Sequence, residues 1–413
     1  MDGRLTHLPP VKDNGGMRFR ALETLTALFV LFWLWVAWPA FAHPASAKPA
    51  HSRPNSTAVR KASPSTALGG ASRSSVAAKS RKSRRAERRG PWRTPTYADS
   101  TAGDIPDGDD PLVRRIAVEA LGPYNGSVVV VEAATGRILT MVNQRVALAG
   151  AFTPCSTIKI PVALAALSEG LIDRSTRLRA AGRPLDMTEA LAYSDNPYFA
   201  SLGRKLGFER FTYYARLFGL GEKAGLNIEG ERPGVLPEAP PANGGIGMMC
   251  SFGEGVTLTP LQLAAMMSAL ANGGTLYYLQ YPRTEEEREN FIPRVKRQLD
   301  IAPWVAEIKH GLLGAVVFGT ARRAGFDPST PIFGKTGTCT DRNTPTHLGW
   351  FGAFNESERN PIAVAVLLTG GAPVNGPVAS GIAGEIFRRL AEAGFFEQDR
   401  RLSPVALIHK EAW

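Results

Sequence analysis

The apolar positions along this chain change their period several times, and each change marks an element. Residues 126–142, GSVVVVEAATGRILTMV, hold two β-branched runs around AATG, the pattern of a β-hairpin. Residues 153–170, TPCSTIKIPVALAALSEG, follow as an apolar run long enough for a buried helix. Residues 186–218 read as helical, with Pro197 expected to break the pattern. Residues 253–274 start as a loop and enter a helix at Thr259-Pro260, a capping residue followed by proline at the first helical position. That helix stops at Asn272-Gly273-Gly274. Residues 281–300 are dense in charge and read as exposed loop. PIFGKTGTCT, THLGWFGAF and PIAVAVLLTG then read as three successive strands, and VASGIAGEIFRRLAEAG as a closing helix. An early hairpin, a helical middle and late consecutive strands predict an α+β domain, one antiparallel sheet packed with helices.

The first hundred residues follow other rules. Arg18 and Arg20 precede the stretch LTALFVLFWLWVAW, and small residues follow at Ala40 and Ala42. Residues 1–42 therefore read as an export signal, cleaved after Ala42, or as an uncleaved membrane anchor. Residues 43–105 are rich in Ala, Ser, Pro, Lys and Arg and cannot bury enough apolar surface to offset the entropy of ordering. They are expected to be a disordered linker, followed by one domain over 106–400 and a tail over 401–413. The bulk of the chain is expected outside the cytoplasm, in the periplasm or on the outer face of the cytoplasmic membrane.

Charge sharpens this division. The formal net charge is +11, yet residues 43–95 alone hold thirteen Lys and Arg against one Glu. The charge belongs to a tail and does not describe a basic globular surface, so nucleic acid is not an expected partner. The segment KSRKSRRAERR suits anionic lipid headgroups or acidic wall polymers; a solvated spacer is the alternative.

In the folded region a single charge is out of place. Lys159 sits in the apolar run 153–170, three residues after Ser156, and at i and i+3 of a helix the two side chains share a face. A serine at a helix N-terminus has free backbone N–H groups around it, which favour developing negative charge. Desolvation lowers a lysine's pKa, so a lysine held in an apolar wall can take the serine's proton. An ordinary helix start with a snorkelling lysine has the same spacing. In YSDN, Ser194 offers a hydroxyl for proton relay and Asn196 an amide for a substrate carbonyl. In GKTGT, Lys335 offers positive charge, Thr336 and Thr338 offer hydroxyls, and Gly337 is expected to clear room for a substrate backbone along the strand. Each element is ordinary alone. Three in this order are hard to reach by chance.

The ordered set Ser-x-x-Lys, Ser-x-Asn, Lys-Thr-Gly resembles the signature of penicillin-binding proteins and serine β-lactamases. The stretch DMTEALAYSDNPYFASLGRKLGFERFTYYARLFGLG is similar to the surroundings of the second motif in penicillin-binding transpeptidase domains. IEGERPGVLP, GEGVTLTPLQLAAMMSALANGG, VVFGTARRAG and HLGWFGAF resemble transpeptidase rather than lactamase segments. The resemblance implies a penicillin-binding fold with a helical lobe beside the sheet and the active site between them. It implies Ser156 as the acylated nucleophile, Lys159 as its base, Ser194 as a proton relay and Asn196 as the group orienting the substrate amide and Lys159. Lys335 and Thr336 would hold the substrate carboxylate on a strand that includes Gly337 and Thr338. The N–H groups of Ser156 and Thr338 would form an oxyanion hole, a contribution of ~3 kcal/mol per donor. The implied substrate is a peptidoglycan stem peptide that loses its terminal D-alanine to an acyl-enzyme, resolved by an amine or by water. β-Lactams are the implied covalent inhibitors. No cofactor or metal is expected, since the six His are scattered and His347 reads as structural.

The resemblance has further consequences. The short gap from Ser156 to Ser194 implies a trimmed helical lobe. The short sequence before the hairpin suggests a minimal transpeptidase domain on an exported linker, without pedestal or glycosyltransferase domain. Some class A β-lactamases of broad substrate range join the residue before the serine to the second residue after Lys-Thr-Gly, which implies a disulfide between Cys155 and Cys339. Three buried thiols, or competition from Cys250, stay open. Glu231 lies where a class A lactamase would keep its deacylating glutamate, but GERPG fits a transpeptidase turn, and a structural role is expected. A β-lactamase or β-lactam sensor, and a non-catalytic wall-binding protein, are the alternative functions.

Overall fold

A computed structural model describes residues 94–149, 152–179, 182–341 and 345–397. The stretch expected to be an export signal or membrane anchor, the expected linker through residue 93 and the tail beyond 397 lie outside the described residues.

In chain order, helix α1 (Pro111–Leu121) leads to the hairpin β1 (Gly126–Glu132) and β2 (Ile138–Val142), then to α2 (Gln144–Ala149). A 3-10 turn (Cys155–Ile158) runs directly into α3 (Lys159–Ser168). Helices α4 (Met187–Ala192), α5 (Asn196–Leu206), α6 (Phe208–Leu217), α7 (Gly245–Phe252) and α8 (Pro260–Ala271) follow. Next come β3 (Thr275–Tyr277), α9 (Glu285–Glu289), β4 (Val295–Gln298) and α10 (Ala302–Val317). Three longer strands, β5 (Ile332–Asp341), β6 (Thr346–Asn355) and β7 (Ile362–Gly370), precede α11 (Gly376–Glu392).

The main sheet has five strands in the order β2-β1-β7-β6-β5, every pair antiparallel. This is the α+β arrangement that the hydrophobic pattern predicts. Successive residues of a strand point to opposite faces, and here both faces are covered. Val129 and Val131 of β1 join a core shared with α3, α5 and α8. Val128 and Val130 join a second core shared with α1 and α11. The VVVV run is therefore buried throughout. Helix α8, apolar on all sides, is buried along nearly its whole length. Its start follows the sequence signal: Thr259 and Gln262 form a reciprocal capping box ahead of Pro260.

Pro197 opens a helix instead of breaking one. Asp195 caps α5 by accepting the Tyr198 N–H, and Pro197 lies in the first turn, where no intrahelical bond is lost. The charged stretch 281–300 is not loop throughout. Thr284 and Glu287 form the capping box that starts α9, and β4 pairs with β3. Lys296 and Arg297 of β4 both pair with Glu222, so these charges satisfy one another across elements. Residues 94–105, expected to belong to the linker, are packed on the domain. Thr96 O accepts the Asn125 N–H, and the Asp104 carboxylate accepts N–H groups of Asn143 and Gln144 and pairs with Arg114. Polar anchors hold here what apolar burial does not. Among the described residues, no helix is long and apolar enough to cross a membrane.

Candidate active site

Ser156 lies in the 3-10 turn and Lys159 begins α3. Three residues per turn place i over i+3, and Lys159 Nζ is 3.0 Å from Ser156 Oγ. The turn is held from below by β6, where Trp350 Nε1–H donates to Thr153 O at 2.9 Å. It is held internally by Thr157 Oγ1–H, which donates to Pro154 O at 2.7 Å. Cys155, just before the serine, has φ +51°, and Ser194 has φ +58°. The other non-glycine residues of positive φ among those described are Asn143 and Asn227, a type that tolerates this region. Cys155 and Ser194 carry strain of about 1–3 kcal/mol each, and both turns meet at Lys159.

The short break between α4 and α5 brings the second motif to the lysine. Lys159 Nζ is 2.7 Å from Ser194 O, 3.0 Å from Ser194 Oγ and 2.5 Å from Asn196 Oδ1. The Phe199 ring centroid lies 5.6 Å away, and the lysine is fully buried. An ammonium would have three N–H groups for four contacts. A neutral amine has two N–H groups for the two obligate acceptors, Ser194 O and Asn196 Oδ1, and a lone pair for a hydroxyl proton. Burial holds the Lys159 pKa well below its ordinary value, and the nearby Lys335 ammonium lowers it further, against Asp195, which raises it. The surroundings that suit a neutral amine also favour it.

The opposite wall is β5, an edge strand paired to β6 with Lys335 opposite Gly352 and Thr338 opposite Gly349. The 3-10 turn packs against it. Lys335 is fully buried, its Nζ 3.1 Å from Thr336 O. Burial lowers its pKa from 10.5 to about 7. Thr336 Oγ1 is 2.6 Å from Thr320 Oγ1, and the Thr320 N–H donates to Ala192 O. That chain of bonds joins the strand to the end of α4. Thr338 is exposed; its Oγ1 accepts the Gly376 N–H at 2.8 Å, which leaves the hydroxyl proton for a ligand.

Gly337 does not clear room for a substrate backbone. A Cβ there would meet Pro154 O at 3.0 Å, Trp350 Cβ at 3.1 Å and Cys155 Cβ at 3.2 Å. Position 337 faces the nucleophile turn, and its bareness lets that turn approach the strand. Two residues further along the same face, Cys339 is disulfide-bonded to Cys155, with Cα atoms 5.6 Å apart. Cys250 is free and buried against Gly203. Glu231 is buried and accepts the N–H groups of Ala224 and Gly225, which engages both its oxygens on a loop.

Phe199, Thr320 and Gly376 escape a reading of the sequence. Phe199 lies three positions after Asn196 on α5, a spacing that places both on one face. Thr320 sits in VVFGTARRAG, a segment with resemblance but no residue-level signal. Gly376 has no local signal, because its N–H reaches Thr338 only through the packing of α11 on the sheet.

Comparisons with known proteins bear on the family and the fold. The profile of the family described as penicillin binding protein transpeptidase domain matches residues 126–392. Stage V sporulation protein D of Bacillus subtilis is 32% identical over 214 residues, 48% of this chain and 33% of that protein. Peptidoglycan D,D-transpeptidase PbpA of Mycobacterium tuberculosis is 26% identical over 368 residues, 72% of this chain and 74% of that protein. The chain thus spans a third of the first relative and most of the second. Among solved structures, PBPA from Mycobacterium tuberculosis superposes with a TM-score of 0.59 at 22% identity, covering 68% of this chain and 80% of that one. The D,D-transpeptidase domain of a peptidoglycan glycosyltransferase from Eggerthella lenta gives 0.57 at 21%, covering 69% and 82%. These likenesses show a shared fold. With the profile spanning more than half of its length, the chain belongs to the penicillin-binding protein transpeptidase domain family.

Proposed function

We propose that this chain is a serine D,D-transpeptidase that acts on peptidoglycan stem peptides through an acyl-enzyme and is acylated by penicillins. The observation that carries this reading is the buried Lys159 Nζ, with obligate acceptors for two N–H groups and Ser156 Oγ 3.0 Å away. As Ser156 Oγ attacks the penultimate D-alanine carbonyl, Lys159 takes its proton. The N–H groups of Ser156 and Thr338 stabilise the oxyanion. Ser194, bonded to Lys159, passes the proton to the departing D-alanine amine. Asn196 orients the substrate amide. Lys335 and Thr336, with the free proton of Thr338, hold the C-terminal carboxylate. An amine of a second stem then takes the acyl group, or water does in a carboxypeptidase turn.

The name of the mycobacterial relative, a peptidoglycan D,D-transpeptidase, supports this reading. Glu231 is buried and holds its own loop by accepting the Ala224 and Gly225 N–H groups, the structural role expected of it and not that of a lactamase's deacylating base. The apolar stretch before Ala42 supports export to the periplasm or the outer face of the cytoplasmic membrane, and the basic run 43–95 supports contact with anionic lipid or wall polymer. The test is to follow a labelled penicillin through adduct formation and decay, beside a chromogenic cephalosporin. A long-lived adduct with little cephalosporin turnover is expected. Fast turnover would reassign the chain as a β-lactamase, and absence of any adduct as a non-catalytic wall-binding protein.

A further inference from the structure

We propose that Tyr193 and Phe318 form the platform that receives the second stem peptide, the acceptor of the acyl group. This rests on the proposed acyl-enzyme chemistry at Ser156 and names the surface that selects the amine. Helices α4 and α10 each end on an aromatic residue, Tyr193 and Phe318. The two ring centroids are 5.5 Å apart at a tilt of 56°. Neither residue is buried: Tyr193 is 48% exposed, Phe318 42%, and Val317 beside it 44%. Exposed apolar groups gathered in this way mark a surface that another molecule covers.

The pair is tied to the leaving-group side of the site. Tyr193 immediately precedes Ser194, whose Oγ is 3.0 Å from Lys159 Nζ. Two residues after Phe318, the Thr320 N–H donates to Ala192 O at 3.0 Å, and Thr320 Oγ1 is 2.6 Å from Thr336 Oγ1. Gly319 permits that junction, since a Cβ there would meet Ala192 O at 2.2 Å. Phe318 lies back over Gly314, where a Cβ would meet its ring at 2.9 Å. The platform thus stands on the seam between the helical wall and the strand wall. It adjoins the residue proposed to pass a proton to the departing amine and the strand proposed to hold the terminal carboxylate.

The chemistry assigns the occupant. Aminolysis of the acyl-enzyme is acylation run backwards with a new amine, so the entering nitrogen takes the place that the D-alanine nitrogen left. It attacks the acyl carbon, the ester bond to Ser156 Oγ breaks, and the proton lost by the amine returns to that oxygen through Ser194 and Lys159. The body of the acceptor then extends from the Ser194 and Thr336 side, where Tyr193, Val317 and Phe318 are exposed. The donor stem stays on the other side of the same carbonyl. Two aromatic faces give the acceptor's carbon-rich surface a contact, and exposed Arg322 and Arg323 on the same connection suit its carboxylates. A penicillin brings no acceptor and does not use this surface.

The test uses the full chain, a soluble donor peptide ending in D-alanyl-D-alanine, and two acceptors. One is a synthetic stem tetrapeptide with a free side-chain amine; the other is glycine, an amine too small to reach the platform. The ratio of aminolysis to hydrolysis against acceptor concentration gives each acceptor's KM. Tyr193→Ala/Phe318→Ala is compared with the wild type and with Tyr193→Phe/Phe318→Tyr, at a temperature where thermal melts show all three folded. The alanine pair should raise the KM of the tetrapeptide about tenfold, with glycine aminolysis and penicillin acylation within twofold of wild type. The aromatic exchange should keep the wild-type KM. Equal losses with both acceptors, or slowed penicillin acylation, would overturn the proposal and make the pair a support for Ser194. So would a wild-type acyl-enzyme that favours the tetrapeptide no more than glycine. Variants that keep the KM but turn a dimer into a monomer would make the pair a contact between copies. If the alanine pair does not fold, Phe318→Ala decides alone. Absence of penicillin labelling in the wild type would instead sink the transpeptidase reading itself.

Discussion

Each wall of the cleft carries a buried lysine, and the two are surrounded in opposite ways. Lys159, on the helical wall, has four polar atoms within 3.0 Å. Lys335, on the strand wall, has one, the Thr336 carbonyl at 3.1 Å. A buried ammonium with most donors unengaged is costly, so the strand wall is built for a partner that arrives from outside. A carboxylate fits that need. The saturated Lys159 has no capacity left for a ligand and is suited to moving a proton between the hydroxyls beside it. On the proposed roles, the difference separates base chemistry from substrate capture, although both lysines have lowered pKa values from the same first cause, burial.

Substitutions can break this comparison. The largest effect is expected for Lys159→Ala, which should slow penicillin acylation about 10²–10⁴-fold, the range for loss of a general base. Its melting temperature should hold or rise. Acylation at the wild-type rate would show that another group takes the proton. Lys335→Met should act differently, raising the penicillin concentration needed for half-maximal labelling by about 10–100-fold, with a smaller change in the limiting rate. A fall confined to the limiting rate would erase the distinction between the walls.

The pH dependence sharpens the same contrast. Acylation should rise as Lys159 loses its proton. Capture of a carboxylate should weaken above about 7, where Lys335 loses its charge, and Lys335→Met should lack that alkaline limb. Stability has a definite sign as well. Between about 7 and 10.5 the unfolded chain binds a proton at residue 335 that the folded state has released. Wild-type stability should therefore rise with pH across that window. Lys335→Met should be more stable near neutrality and lose that residue's share of the slope; chemical denaturation at several pH values measures both. The smallest effect is expected for Thr320→Val, which removes the hydroxyl contact to Thr336 and should cost a few-fold in labelling, about 1 kcal/mol. A loss as large as that of Lys335→Met would give Thr320 a direct role on substrate.

The two walls also differ in how far the sequence announces them. Ser156 and Lys159 are three residues apart on one face of a turn, and Lys335 to Thr338 are contiguous on one strand, so local spacing already keeps each set together. The strands, the hairpin and the Thr259 cap are legible for the same reason: period and capping are local. What the sequence hides is tertiary. Gly337 reads as room for a substrate, because nothing local says that Pro154 and Cys155 pack there. The charges of 281–300 read as loop, because their partner Glu222 lies far back in the chain. Thr320 and Gly376 matter only through bonds to Thr336 and Thr338 across the fold.

The central claim is that the hydroxyl of residue 156 is the group these walls serve. Its most direct test is intact-mass analysis and peptide mapping of the full chain after exposure to a labelled penicillin. One equivalent of adduct on the peptide carrying Ser156, and none in Ser156→Ala, is the predicted result. Label on any other residue, or label that survives Ser156→Ala, would contradict it.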